Sequence, residues 1–86
     1  MNKQKLLEKL KNSQKNVRYG DFVMLINAFG FEYDRTRGSH NTYMHLGIHK
    51  VINIQNNKGQ AKPYQIKQFL EIINECNLEL EGESND

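Results

Sequence analysis

Cross-links, membrane anchors and metal clusters are all scarce in this chain. It has a single cysteine, Cys76, so no internal disulfide can form and packing must hold the fold together. A reducing compartment suits such a chain. No run of about 18 apolar residues is present to span a bilayer, and the lysine-bearing N-terminus lacks the apolar stretch of a secretory signal. The expectation is a soluble cytoplasmic protein. Internal repeats are missing, and the one proline, Pro63, stands alone as punctuation. Basic residues also stop abruptly. Residues 1–67 hold all 12 Lys and Arg against 4 acids, a net charge of +8, whereas residues 68–86 hold 6 acids and no base, a net charge of −6. A basic body before an acidic end points toward a polyanionic partner.

Eighty-six residues make one small domain, with a core just large enough to fold unaided. Leu6, Leu7 and Leu10 share one side of a short lysine-rich helix over residues 3–12, too brief to persist unless it docks. Residues 1–16 are therefore read as a helical extension, with Ser13 to Asn16 as a polar connector. A second helix is expected from Asp21 to Phe29, with Gly20 as N-cap, Gly30 just past its end, and Tyr19 and Met24 as a hydrophobic staple. Phe22, Leu25, Ile26 and Phe29 recur at three- and four-residue intervals and should face the core.

The period then changes to two. Phe31, Tyr33 and Arg35 alternate with Glu32, Asp34 and Thr36, the pattern of a half-buried strand. After a Gly38-Ser39 turn, Asn41 to Leu46 predicts a second strand. Gly47-Ile48-His49 closes a hairpin onto a third, Lys50 to Ile54. Gln55 to Lys62 shows no apolar pattern. Pro63 suits the first position of a last helix with Ile66, Phe69, Leu70 and Ile73 as its stripe, ending near Asn77. Residues 79–86 are acidic and expected to be disordered. The fold class is then α+β: a three-stranded antiparallel meander with two helices on one face, in the αβββα order of double-stranded-RNA-binding domains, plus an extra N-terminal helix.

Chemistry concentrates in Arg35-Thr36-Arg37-Gly38-Ser39-His40. An imidazole moves protons near neutral pH, and guanidinium groups grip phosphate. Arg35 and Arg37 share a parity and should line one face of their strand. His40 and His45 are an odd number of residues apart and should point to opposite faces. Neither has an acid or cysteine nearby at ligand spacing, so a zinc site is not expected. Tyr43 and Tyr64 have rings that can stack on bases, but core or rim packing is the favoured reading of each. Cys76 reads as a small apolar residue of the last helix.

Four segments together, Tyr19-Gly20-Asp21-Phe22-Val23-Met24-Leu25, Phe29-Gly30-Phe31, Arg35 to His40, and Lys58-Gly59-Gln60-Ala61-Lys62-Pro63-Tyr64, resemble the HicA, or YcfA-like, family. The resemblance spans about residues 17–78, and its most specific element is Gly-Ser-His after an arginine-rich strand. It implies a toxin of a type II toxin–antitoxin pair: an mRNA-cleaving endoribonuclease that needs no metal or other cofactor and is silenced by a HicB-type antitoxin. His40 would then be the catalytic proton-transfer group. Arg35, Arg37 and Lys50 would contact phosphate, with Gly38 allowing the tight turn and Ser39 orienting substrate or imidazole. Two departures stand out. Asn41 occupies a position where the family often has a second histidine, and the excursion at Gly47-Ile48-His49 is short. A non-catalytic RNA-binding module of the same fold, or a protein-interaction domain, remains open on the residues alone.

Overall fold

The computed structural model describes residues 2–80. Three helices and a four-stranded antiparallel sheet run in the order α1 (Lys3–Asn12), α2 (Tyr19–Ala28), β1 (Glu32–Arg37), β2 (His40–His45), β3 (Lys50–Asn57), β4 (Gln60–Ala61) and α3 (Pro63–Glu75). The class is α+β. The sheet order is β1-β2-β3-β4, a plain meander.

The sheet has four strands among the described residues rather than the three expected. The stretch from Gln55, read as featureless, extends β3 to Asn57 and turns back through Lys58 and Gly59 into β4. Both turn residues have positive φ, 53° and 88°, as a two-residue type I′ hairpin requires. Asn56 Oδ1 accepts the Gly59 N–H at 2.6 Å and fixes the turn. The ladder is made by backbone groups, and Ala61 alone of the pair is buried. Apolar alternation therefore had nothing to show.

β4 in turn explains why α2 starts earlier than expected. The Tyr19 N–H donates to Gly59 O at 2.9 Å, and the Ala61 N–H donates to Val17 O at 2.8 Å. Residues 17–19 thus lie against β4, and α2 begins at Tyr19 with Arg18 as N-cap and no side-chain cap. Strand pairing thus satisfies the first backbone donor of the helix, the Tyr19 N–H, one residue before the expected N-cap. The Tyr19–Met24 staple does not form, since Tyr19 is already helical and Met24 is exposed. The expected stop holds: Gly30 follows the helix with φ of 96°.

Phe69 of α3 is the hub of the core. Its ring meets Phe22, Phe29 and Phe31 edge-on at centroid distances of 5.6, 5.5 and 6.0 Å. Leu25, Ile26, Ile52, Ile54 and Ile66 complete the layer between helices and sheet. Leu6, Leu7 and Leu10 of α1 belong to the same cluster, so the N-terminal helix completes the core rather than standing apart. At the other end Leu78 and Leu80 pack against the cluster. Most of the tail expected to be disordered, residues 81–86, lies outside the described residues.

Candidate RNA-cleaving face

The open face of the sheet is set by register. Tyr43 pairs with Ile52 and Asn41 with Ile54, and these side chains share the core face. By alternation, His40, Thr42 and Met44 of β2 and Val51, Asn53 and Gln55 of β3 point the other way. β1 joins this face through a bulge. Tyr33 pairs with Tyr43 but Arg35 pairs with Thr42, so Asp34 is an extra residue and the parity flips across it. The bulge turns Tyr33 and Thr36 to the core side and Arg35 and Arg37 to the open side. β1 is exposed at every position rather than half-buried as its alternation suggested. Among the described residues it is an edge strand with no partner on its outer side.

Gly38 and Ser39 form the two-residue connection that sets Arg37 directly opposite His40. Gly38 has φ of 61°, the left-handed conformation that a glycine at the first turn position supplies without strain. A hydrogen-bonded chain on the core side fastens this hairpin to α2. Thr36 Oγ1 donates to Asn41 Oδ1 at 2.7 Å, and Asn41 Nδ2 donates to the Tyr19 hydroxyl at 2.7 Å. Because Thr36 spends its only hydroxyl hydrogen on Asn41, the Tyr33 hydroxyl is the donor in its 2.6 Å contact with Thr36. Asn41 thereby ties β1, β2 and α2 together one residue from His40. Burial raises the pKa of Tyr19 above the ordinary tyrosine value, partly offset by the bond from Asn41. Tyr43 is raised in the same direction by burial and by its tyrosine neighbours Tyr19 and Tyr33.

Four of the expected site residues are brought together. Arg35, Arg37 and His40 line one hollow of about 310 Å3 with Thr42 and Asn53, and Ser39 sits in the turn beside it, its hydroxyl accepting from Gln55 Nε2 at 3.1 Å. Arg35 also pairs with Asp34 of the bulge, so its charge is partly engaged. Lys50 is elsewhere. It pairs with His45 at the far end of β3 while His40 pairs with Gln55, a separation of about 17 Å along the strand. His45 faces the core side, its ring 5.2 Å from that of Phe31 and its Nδ1 accepting the Gly47 N–H at 3.1 Å. Of the two tyrosines suggested for stacking, Tyr43 is buried in the core and Tyr64 is 55% exposed. Among the described residues, no group of three or more His, Cys, Asp or Glu side chains is gathered as a metal site would need.

Sequence reasoning passed over Thr42, Asn53, Gln55 and Gln65. The signal for three of them was present: Asn53 and Gln55 alternate with Ile52 and Ile54, and pairing β3 with β2 through the short turn sets both, with Thr42, beside His40. Gln65 carries no such signal. It is a buried glutamine in an otherwise apolar helix stripe.

Fold and site together define a small α+β protein whose open sheet face sets one imidazole among guanidinium groups. A family model for the HicA toxin of bacterial toxin–antitoxin systems matches residues 19–74, from the start of α2 through nearly all of α3. The chain belongs to that family, and is thus a toxin of a toxin–antitoxin system. No curated protein and no solved structure matches it. α1 lies before the matched region although its leucines are part of the core.

Proposed function

We propose that this toxin is a metal-independent endoribonuclease that cleaves mRNA on its open sheet face. The observation that carries the reading is the gathering of His40, Arg35 and Arg37 in one hollow, in a chain of the HicA family. The αβββα order of the matched region, with the short β4 added, is also that of double-stranded-RNA-binding domains, whose members grip RNA by shape.

RNA needs no metal to be cut, because its own 2′-oxygen can attack the adjacent phosphorus. The 2′-O–P bond forms, the P–O5′ bond breaks, and the products are a 2′,3′-cyclic phosphate and a 5′-hydroxyl. One proton must leave the 2′-hydroxyl and one must reach O5′. His40 is exposed at the rim of the hollow and serves a proton transfer, a contribution of about 10²–10⁴-fold. Arg37 and Arg35 meet the phosphoryl oxygens and offset the charge that builds on them. Gly38 and Ser39 hold the turn that keeps Arg37 and His40 opposed. Lys50, at the far end of β3, meets RNA only some distance from the cut. A HicB-type antitoxin silences the enzyme by covering this face.

A second reading has its own support. His45 points to the core side and His49 lies in the far turn, so His40 is the one imidazole on the hollow. One imidazole handles one proton at a time, and a domain that binds RNA without cutting it has the same face. Purified toxin free of antitoxin, set against His40→Ala on a mixed-sequence RNA with excess EDTA, separates the two. Cleavage by the parent alone establishes the enzyme. Intact RNA with retarded mobility in both lanes establishes the binding module.

A further inference from the structure

Two hollows meet at His40, and their linings differ in kind. The arginine hollow already described is cationic. The other, about 550 Å3, lies between α3 and the edge of β3 that the two-residue β4 leaves uncovered. Besides His40, its lining includes the neutral polar side chains of Asn53, Tyr64, Gln65 and Gln68. Glu71 and Glu75 stand farther along α3, with Lys50 opposite. Carboxylates repel a phosphodiester backbone, so the strand's phosphates belong in the arginine hollow. An aromatic face flanked by amides suits an uncharged ring with hydrogen-bonding edges.

Tyr64 is not a loose surface tyrosine. Gln65 Nε2 donates to its hydroxyl at 3.3 Å and to Gln55 Oε1 at 3.2 Å, and Gln65 Oε1 accepts the Gln55 N–H at 2.8 Å. Gln55 Nε2 then reaches Ser39 Oγ in the turn that presents His40. A buried glutamine thus couples the tyrosine to the reacting end of the sheet. Asn53 lines both hollows, and its Oδ1 accepts from Thr42 Oγ1 at 2.6 Å, which leaves its amide nitrogen to meet a ligand.

We propose that the hollow between β3 and α3 is a nucleobase subsite. Tyr64 stacks on the base next to the phosphate held by Arg35 and Arg37, and Asn53 and Gln68 meet that base's edge. The subsite sets which nucleotide flanks the cut. It rests on the ribonuclease reading and deepens it.

The test uses the full chain carrying His40→Ala, which keeps RNA intact, and a hexaribonucleotide with one 2-aminopurine whose fluorescence is quenched on stacking. The expected result is quenching on binding, lost with about tenfold of the affinity when Tyr64→Ala is added. Tyr64→Phe, which keeps the ring, should retain both. In the cleaving enzyme, Tyr64→Ala should raise KM about tenfold and flatten the distribution of cut sites. A folded Tyr64→Ala variant that cuts the same sites with the same KM overturns the subsite and leaves the ribonuclease standing. Unchanged RNA affinity with weakened antitoxin binding overturns it in favour of a protein-docking groove. A parent that neither binds nor cuts RNA overturns both readings together.

Discussion

The two faces of the sheet are built by different rules. The core face is held by shape: three phenylalanines meet at Phe69, and Ile52 and Ile54 share their cluster. The open face carries arginines, a histidine and amides, and owes its composition to strand register and one bulge. Stability and chemistry therefore lie on separate faces here. Damage to one face should unfold the protein, and damage to the other should silence a folded one.

The largest expected effect tests that separation directly. Phe69→Ala removes the ring on which three others lean and should cost about 3–5 kcal/mol, read as a large fall in the urea midpoint. His40→Ala, exposed on the open face, should stay within about 0.5 kcal/mol of the parent while losing cleavage. Comparable destabilisation by the two would break the comparison.

The same contrast explains what the sequence disclosed. The stripes of α2 and α3 were legible because apolar residues at helical spacing leave no other economical reading, and Phe22, Leu25, Ile26, Ile66 and Phe69 are all buried. Pro63 marked the start of α3 correctly. Gly38 marked the turn, but both flanking strands run one residue further into it than expected, which is what sets Arg37 opposite His40. The bulge at Asp34 was invisible, since one extra residue in an edge strand changes parity without changing composition. β4 was hidden for a related reason: its bonds are backbone to backbone. The start of α2 was misplaced because its first N–H finds a partner some forty positions away, at Gly59, beyond any local capping rule.

α1 offers the next test, because it lies outside the family match yet inside the core. Leu10 is fully buried, and Leu10→Ala should cost about 2–5 kcal/mol by the same urea assay. Deleting residues 1–16 should lower the melting temperature at least as far. An unchanged melting temperature would mean that the helix merely rests on a core that is complete without it.

On the open face the effects are smaller and electrostatic. Arg37→Gln should weaken RNA binding across all sequences and reduce the slope of log affinity against log salt by about one. Arg35→Gln should do less, because Arg35 already pairs with Asp34 and gives up part of that bond to meet a phosphate. Equal losses at the two positions would show that the Asp34 pairing does not hold in solution. Melting temperatures of both variants should match the parent, which keeps the two faces distinct.

The smallest effect lies where the faces are stitched together. Tyr19 and Tyr43 have pKa values raised above the ordinary tyrosine value of about 10, chiefly by burial. With the folded-state pKa raised, the unfolded chain gives up its protons first as pH climbs. Stability from these groups is thus fully present below pH of about 10 and lost as pH rises through their folded values. Tyr19→Phe removes one of the two titrations and also the acceptor for Asn41 Nδ2. Between pH 8 and pH 11 its urea midpoint should fall less than the parent's, though from a lower start. The lost bond also frees Asn41 beneath the turn, so cleavage should weaken in a variant that remains folded. If cleavage were untouched, the chain from Tyr33 through Thr36 and Asn41 to Tyr19 would belong to the packed face alone, and the turn that carries His40 would hold its shape without it.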